Sequence, residues 1–359
     1  MKKFTMMALV FAAVLCLFAA TPSFAQGPSA TPPYNLSVFA NAPAGLSAPD
    51  SIAVRGNRVF VGYGDGHDPG GADGLNSQVV EFRMDGSVAH IYTVPGHNDG
   101  VKLDPTTGKI WAMQNEDANP NLVIINPETR HQKLFTFGPT PHGGGYDDMV
   151  FQGCKVYISA SNPANSPNAA PAIVSAHIEG NMVEVESVFE GNAGAFNVVT
   201  GETETLNLQD PDSMTTDLLG NLFLDSQGDQ EIILVANPGT NHQTAFKIPL
   251  SFISGGTQTA VETDDSAFVT STQGFILFAD KKLNKVYKLT NPNFFPGGVF
   301  TAADGGPFVG TLDLATGIIT PVVTNLMNPG GLVFVDTSDK SRDSERFDRD
   351  DCDRDRDSR

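Results

Sequence analysis

The sequence is poor in cysteine, tryptophan, basic charge and long apolar runs. It carries three cysteines and one tryptophan in 359 residues, and 22 Lys and Arg against 41 Asp and Glu. Cys16 falls in the N-terminal apolar run, leaving Cys154 and Cys352, too few for a disulfide framework to be the source of stability. Cys154 falls in a predicted turn and is expected to be chemically inert. A net charge of −19 disfavours nucleic acid and anionic membranes as partners. After residue 25 no apolar stretch is long enough to span a bilayer. There is no G-x-S-x-G, P-loop, CxxCH, HExxH or dinucleotide fingerprint, which removes whole reaction classes.

What is present begins with Lys2-Lys3, an apolar run from Met6 to Ala20, and Ser23-Phe24-Ala25. Charged, apolar and small-residue regions in that order predict a signal peptide over 1–25, hence export to a periplasm or beyond the cell. Residues 26–33, QGPSATPP, read as a linker, and 34–337 as one domain. At ~310 residues, the exported core is long enough to bury its own interior. The last 22 residues, 338–359, hold nine acids and seven bases and almost nothing apolar, so a disordered, solvated tail is expected. The mature protein is expected to be a monomer with no membrane span.

The stretch GHNDGVKLDPTTGKIWAMQNE, Gly96–Glu116, sets the pattern for the middle of the chain. A polar cluster precedes an alternating strand, a turn follows, and a second strand ends in another polar cluster. In a hairpin the two clusters meet at one end. Related units open at Asp50, Asp99, Asp148, Asp212 and Asp265, spaced by 49, 49, 64 and 53 residues. Each continues into one or two further strands, and a four-stranded repeat of about 40–50 residues is a β-propeller pattern. The fold expected is all-β, a propeller of six blades with seven as the other parse, closed by pairing of N- and C-terminal strands. In this parse DDSAFV and GFILFAD form one hairpin, and Phe196–Leu208 is an extra hairpin in the long third gap.

Inner strands of a propeller start at the face where second strands end. That rule gathers Asp50, Asn98, Asp99, His142, Asp147, Asp148, Asp212, Asp264, Asp265 and Asn328 near one mouth of the channel. Carboxylates aimed at one axis repel unless protonated or bridged by a cation, and calcium suits carboxylate and amide oxygens. The candidate metal ligands are Asp99, Asp147, Asp148, Asp212 and Asp265. The competing reading gives each Asp a turn or capping role through backbone hydrogen bonds. His97 and His142 are the candidate general bases, Asn98 and Asn115 the candidate substrate contacts. Trp111 and Phe223 are read as packing.

The segments Asn98-Asp99-Gly100, Asp104-Pro105, Gly108 and Trp111 resemble a strand motif of the senescence-marker-protein, gluconolactonase and luciferin-regenerating-enzyme superfamily. Pro211-Asp212-Ser213-Met214, with Asp217 and Gly220-Asn221-Leu222, resembles that family's later metal-binding blade. NHL-type propellers share similar motifs. The resemblance implies a six-bladed propeller with a central divalent metal, Asp212 as a ligand, Asn98 at metal or substrate, and Asp147 or Asp148 in place of a family asparagine. The chain departs from the family at Gly96, where an arginine is usual, and at Asn328-Pro329-Gly330, where a glutamate ligand is usual. Two functions are thereby expected: a calcium-dependent hydrolase of a small ester or lactone, or a non-catalytic propeller that binds a protein or glycan through its loops.

Overall fold

The computed structural model describes residues 26–338; the predicted signal peptide, Cys352 and all but the first residue of the charged tail lie outside them. Among the described residues there is no helix, and so none long and apolar enough to cross a membrane. The strands form antiparallel ladders of four. The first runs Pro49–Arg55, Arg58–Tyr63, Asn76–Arg83, Val88–Pro95, and the second Asn98–Leu103, Ile110–Gln114, Asn121–Asn126, His131–Phe137. The third comprises Met149–Gln152, Lys155–Ser159, Pro171–Glu179 and Met182–Glu190, the fourth Pro211–Thr216, Leu222–Ser226, Glu231–Ala236 and Thr244–Pro249. The fifth is Asp265–Phe268, Val299–Ala303, Phe308–Asp313 and Ile318–Thr324, and the sixth Pro329–Asp336, Gly274–Asp280, Lys285–Thr290 and Asn35–Asn41. The first-named strand of each ladder touches that of the next, and Pro329–Asp336 returns to touch Pro49–Arg55. The ring is therefore closed, with these six strands around its axis.

Side-chain alternation builds that ring. In Arg58–Tyr63 the residues Val59, Val61 and Tyr63 pack toward the sixth ladder with Phe275, Leu277 and Val286, while Phe60 packs toward the second with Val101 and Ile110. Six such apolar clusters fill the spaces between consecutive ladders. Each fully buried large side chain contributes about 1.5–3 kcal/mol relative to exposure. Trp111 stands edge-on to Phe151 at 5.2 Å and Phe223 edge-on to Phe268 at 5.1 Å, the packing roles expected of them.

Two features correct the sequence parse. Asp265–Phe268 pairs with Val299–Ala303, and Gly274–Asp280 instead crosses into the sixth ladder, where it lies between Lys285–Thr290 and Pro329–Asp336. Proximity in sequence suggested a hairpin, but the intervening residues 269–273 carry the chain to the next ladder. The expected linker over 26–33 is also part of the fold: Ser29–Ala30 pairs with the C-terminal strand Ile318–Thr324, while Asn35–Asn41 pairs with Lys285–Thr290 at the rim of the ladder that holds Pro329–Asp336 at the axis, so N- and C-terminal segments close the ring together. The ends share a sheet, at opposite edges.

The outer strands of the second to fifth ladders are paired further, while Val88–Pro95 and Asn35–Asn41 end their sheets. Thr136–Phe137 pairs in parallel with Met182–Val183, the hairpin of Gly194–Asn197 and Thr203–Thr205 adds to Thr244–Pro249, and Ser251–Ala260 adds a hairpin to Ile318–Thr324. Cys154, in the turn after Met149–Gln152, is disulfide-bonded, which the expectation of an inert thiol did not foresee.

Candidate functional site

In the first, second and fourth ladders the pairing register slips between Pro49 and Ile52, Asn98 and Val101, and Pro211 and Met214. Such bulges re-aim side chains at the start of the strand. Register then defines two layers around the axis. Ile52, Val101, Met149, Met214, Ser266 and Leu332 occupy equivalent paired positions. Two residues before each come Asp50, Asp99, Asp147, Asp212, Asp264 and Gly330, five acids and one glycine. One residue before each come Ser51, Gly100, Asp148, Ser213, Asp265 and Gly331.

The second of these layers ties neighbouring ladders together. Ser51 Oγ accepts the Val101 N–H at 2.9 Å, Asp148 Oδ2 the Met214 N–H at 3.0 Å, and Asp265 Oδ2 the Leu332 N–H at 2.6 Å. Asp148 also receives the Lys102 ammonium at 2.7 Å. Burial pushes Asp265 up to about 7, against the opposing pull of Lys102. At alternate junctions the backbones close in instead: a Cβ on Gly100 would lie 2.5 Å from the Asp147 carbonyl oxygen, and one on Gly331 1.9 Å from that of Asp50.

The first layer surrounds a cavity of about 80 Å³ lined by Asp50, Asp99, Glu116, Asp147, Asp212, Asp264 and Lys281, together with Gln227 and residues of the layer below. Neighbouring carboxyls stand within hydrogen-bonding reach of one another in the sequence Asp50, Asp99, Glu116, Asp147, Asp212. Beyond Asp50 stands Lys281, whose Nζ lies 2.8 Å from Asp50 and 2.7 Å from Asp264. Burial first, and neighbouring acids second, hold Asp99, Asp147 and Asp212 well above the usual carboxylate range, and Glu116 is likewise raised chiefly by burial. Asp50 is pushed up to about 7 by burial, against the pull of Lys281.

A hard cation fits this donor set. The oxygens are carboxylate oxygens, Asp99 Oδ2 is buried with no hydrogen-bond partner, and carboxyl faces carboxyl without a proton donor between them. His97 is not among the residues lining the cavity, but a nitrogen of its ring and oxygens of Asp99 and Glu116 lie within 4.8 Å of one another. His97 Nδ1 is buried without a partner, and burial, then Lys281, lowers the basicity of its ring.

The remaining sequence candidates are elsewhere. Asp148 reaches the cavity wall, but its carboxylate serves Lys102 and Met214; Asp265 lies outside the lining altogether. His142 donates from Nε2 to the Gly145 carbonyl at 2.6 Å, packs against Tyr146 at 5.1 Å, and does not line the cavity. Asn98 Nδ2 donates to the Met113 carbonyl at 2.9 Å, and its Oδ1 is pressed against Gly62 of the first ladder. Asn115, at φ 63°, accepts the His97 N–H at 2.9 Å and donates to Asn119 O at 3.0 Å, so it shapes the loop. The cavity residues Glu116, Gln227 and Lys281 escaped the candidate set. Glu116 was visible in the polar cluster after Ile110–Gln114. Lys281 follows Gly274–Asp280, and its signal is the glycine that breaks the series of five acids at Gly330.

No protein-family model and no curated protein sequence matches the chain. Solved structures similar to it include virginiamycin B lyase from Staphylococcus aureus, at 12% identity and TM-score 0.46 over 78% of this chain and 85% of that one. A streptogramin B lyase shares 13% identity at TM-score 0.48, covering 84% and 91%. A putative gluconolactonase shares 11% at TM-score 0.47, covering 82% and 83%. The propeller assignment itself rests on the closed ring of inner strands.

Proposed function

We propose that this chain is an exported propeller that holds one divalent cation, calcium by the character of its donors, among Asp99, Glu116, Asp147 and Asp212, and that it hydrolyses a small ester or lactone there. The observation that supports the cation is the run of buried carboxyls within hydrogen-bonding reach of one another. When bound, the ion supplies Lewis-acid polarisation of a carbonyl and stabilisation of the oxyanion. The chain supplies the rest. His97, kept neutral by burial, accepts a proton from the attacking water at its unpartnered Nδ1. The carboxyl ring holds the ion's position, and Ser51, Asp148 and Asp265 hold the ring.

The test measures metal content of the mature protein and hydrolysis of a panel of lactones and esters in calcium, for wild type, Asp212→Asn and His97→Gln. One ion per chain in wild type, lost in Asp212→Asn, with hydrolysis lost in both variants, is the expected result. A wild type that takes up no ion overturns the reading. A second reading is favoured by the cavity's size. At about 80 Å³ the cavity is small beside the ~300–1,000 Å³ of a typical small-molecule pocket. On that reading the ion braces a non-catalytic propeller that binds a protein or glycan through its loops. One bound ion, a lower melting temperature in chelator and no turnover on the panel select it.

A further inference from the structure

Each inner strand offers one axial position, and the sixth departs from the other five. Where the others carry Asp50, Asp99, Asp147, Asp212 and Asp264, it carries Gly330. A Cβ at Gly330 would meet Lys281 Cε at 2.8 Å, Asp264 Oδ1 at 2.8 Å and Asp50 Oδ1 at 2.9 Å. The glycine is thus the space through which Lys281 enters the ring. Its ammonium reaches Asp50 at 2.8 Å and Asp264 at 2.7 Å, the two acids flanking the missing carboxylate. The turn that presents it is fastened on both sides. Lys281 N–H donates to the Asn328 carbonyl at 2.9 Å, and Asp280 accepts the N–H groups of Leu283, Met327 and Asn328 at 3.0, 2.8 and 3.3 Å.

We propose that Lys281 is a resident cation occupying the place a second divalent ion would take between Asp50 and Asp264, and that it thereby limits the channel to one ion on the Asp99–Glu116–Asp147–Asp212 arc. This rests on the cation reading above. An ammonium is a compact point charge with three donors, able to satisfy two carboxylates at once. Being covalently attached, it is present whatever the calcium concentration. Its positive charge faces the arc and repels any ion that drifts toward the axis, so it also sets where the exchangeable ion sits.

The test compares bound calcium per chain in wild type, Lys281→Met and Lys281→Met/Gly330→Asp, the last restoring a carboxylate at the sixth position. Ion content after gel filtration and calorimetric titration are read together, with melting in calcium as the check of folding. One ion in wild type and two in each variant is the expected result. Folded variants that still hold one ion overturn the assignment, whatever their affinity. A wild type holding none instead removes the cation reading beneath it.

Discussion

Asp148→Ala separates the structural layer of the channel from the layer around the cavity. The carboxylate receives Lys102 at 2.7 Å and the Met214 N–H at 3.0 Å, and it is almost fully buried. Breaking a buried ion pair from one side costs about 3–5 kcal/mol. The Lys102 side chain keeps 21% exposure, which places this pair at the lower end of that range. An unpaired buried amide at Met214 adds ~1–3 kcal/mol. A total of about 4 kcal/mol is a large part of the ~5–15 kcal/mol that holds a domain together. With unfolding entropy near ~2.1 cal/mol/K per residue, a domain of this length loses roughly 6 °C in melting temperature. Calorimetric melting in chelator reads that loss without any contribution from a bound ion. Calcium uptake in the same variant is expected to stay at one ion per chain. Asp212→Ala should behave oppositely, losing the ion while its melt in chelator stays level or rises, because one member of a crowded carboxyl ring is gone. An Asp148→Ala protein that melts within about 2 °C of wild type in chelator, or that loses its ion, would refute the separation of roles.

Two other outcomes follow from the same geometry. Asp50 and Asp265 are both raised to about 7, so ionising them costs folding free energy; their stabilising contribution is complete below the usual carboxylate range and is lost as pH rises through about 7. Melting temperature in chelator should fall between pH 5 and pH 8, and calcium should flatten the fall; a chelated protein that melts higher at pH 8 than at pH 5 contradicts the sign. Gly331→Ala sets a Cβ 1.9 Å from the Asp50 carbonyl oxygen at φ 36°, and overpacking together with the left-handed conformation predicts a loss of about 2–5 kcal/mol, read by denaturant unfolding.

The fold was legible where the repeat was regular, and the site only to within one residue. Tyr146-Asp147-Asp148 and Thr263-Asp264-Asp265 each offer two adjacent acids, and nothing in the sequence says which faces the axis. In an extended strand that single step reverses the side chain, so a shift of one residue exchanges a cavity wall for a tie to the next ladder. Asp147 and Asp264 take the axial places, Asp148 and Asp265 the ties, and a spacing counted from Asp148 and Asp265 conceals this. The crossing of residues 269–273 was illegible for a different reason. Local pattern reports that Asp265–Phe268 and Gly274–Asp280 are strands, but which strand each pairs with is decided by burial between ladders. Lys281 lay beyond the pattern because it comes from the end of a second strand, in a loop rich in lysine, and no motif marks it. Its role follows from what is missing elsewhere. Five carboxylates and a glycine at equivalent positions leave a gap in a charged ring, and a buried ring of like charge cannot leave such a gap to chance. The ammonium that fills it belongs to the same logic as the acids it faces, and position 281 is where that logic departs from a ring of equivalent inner strands.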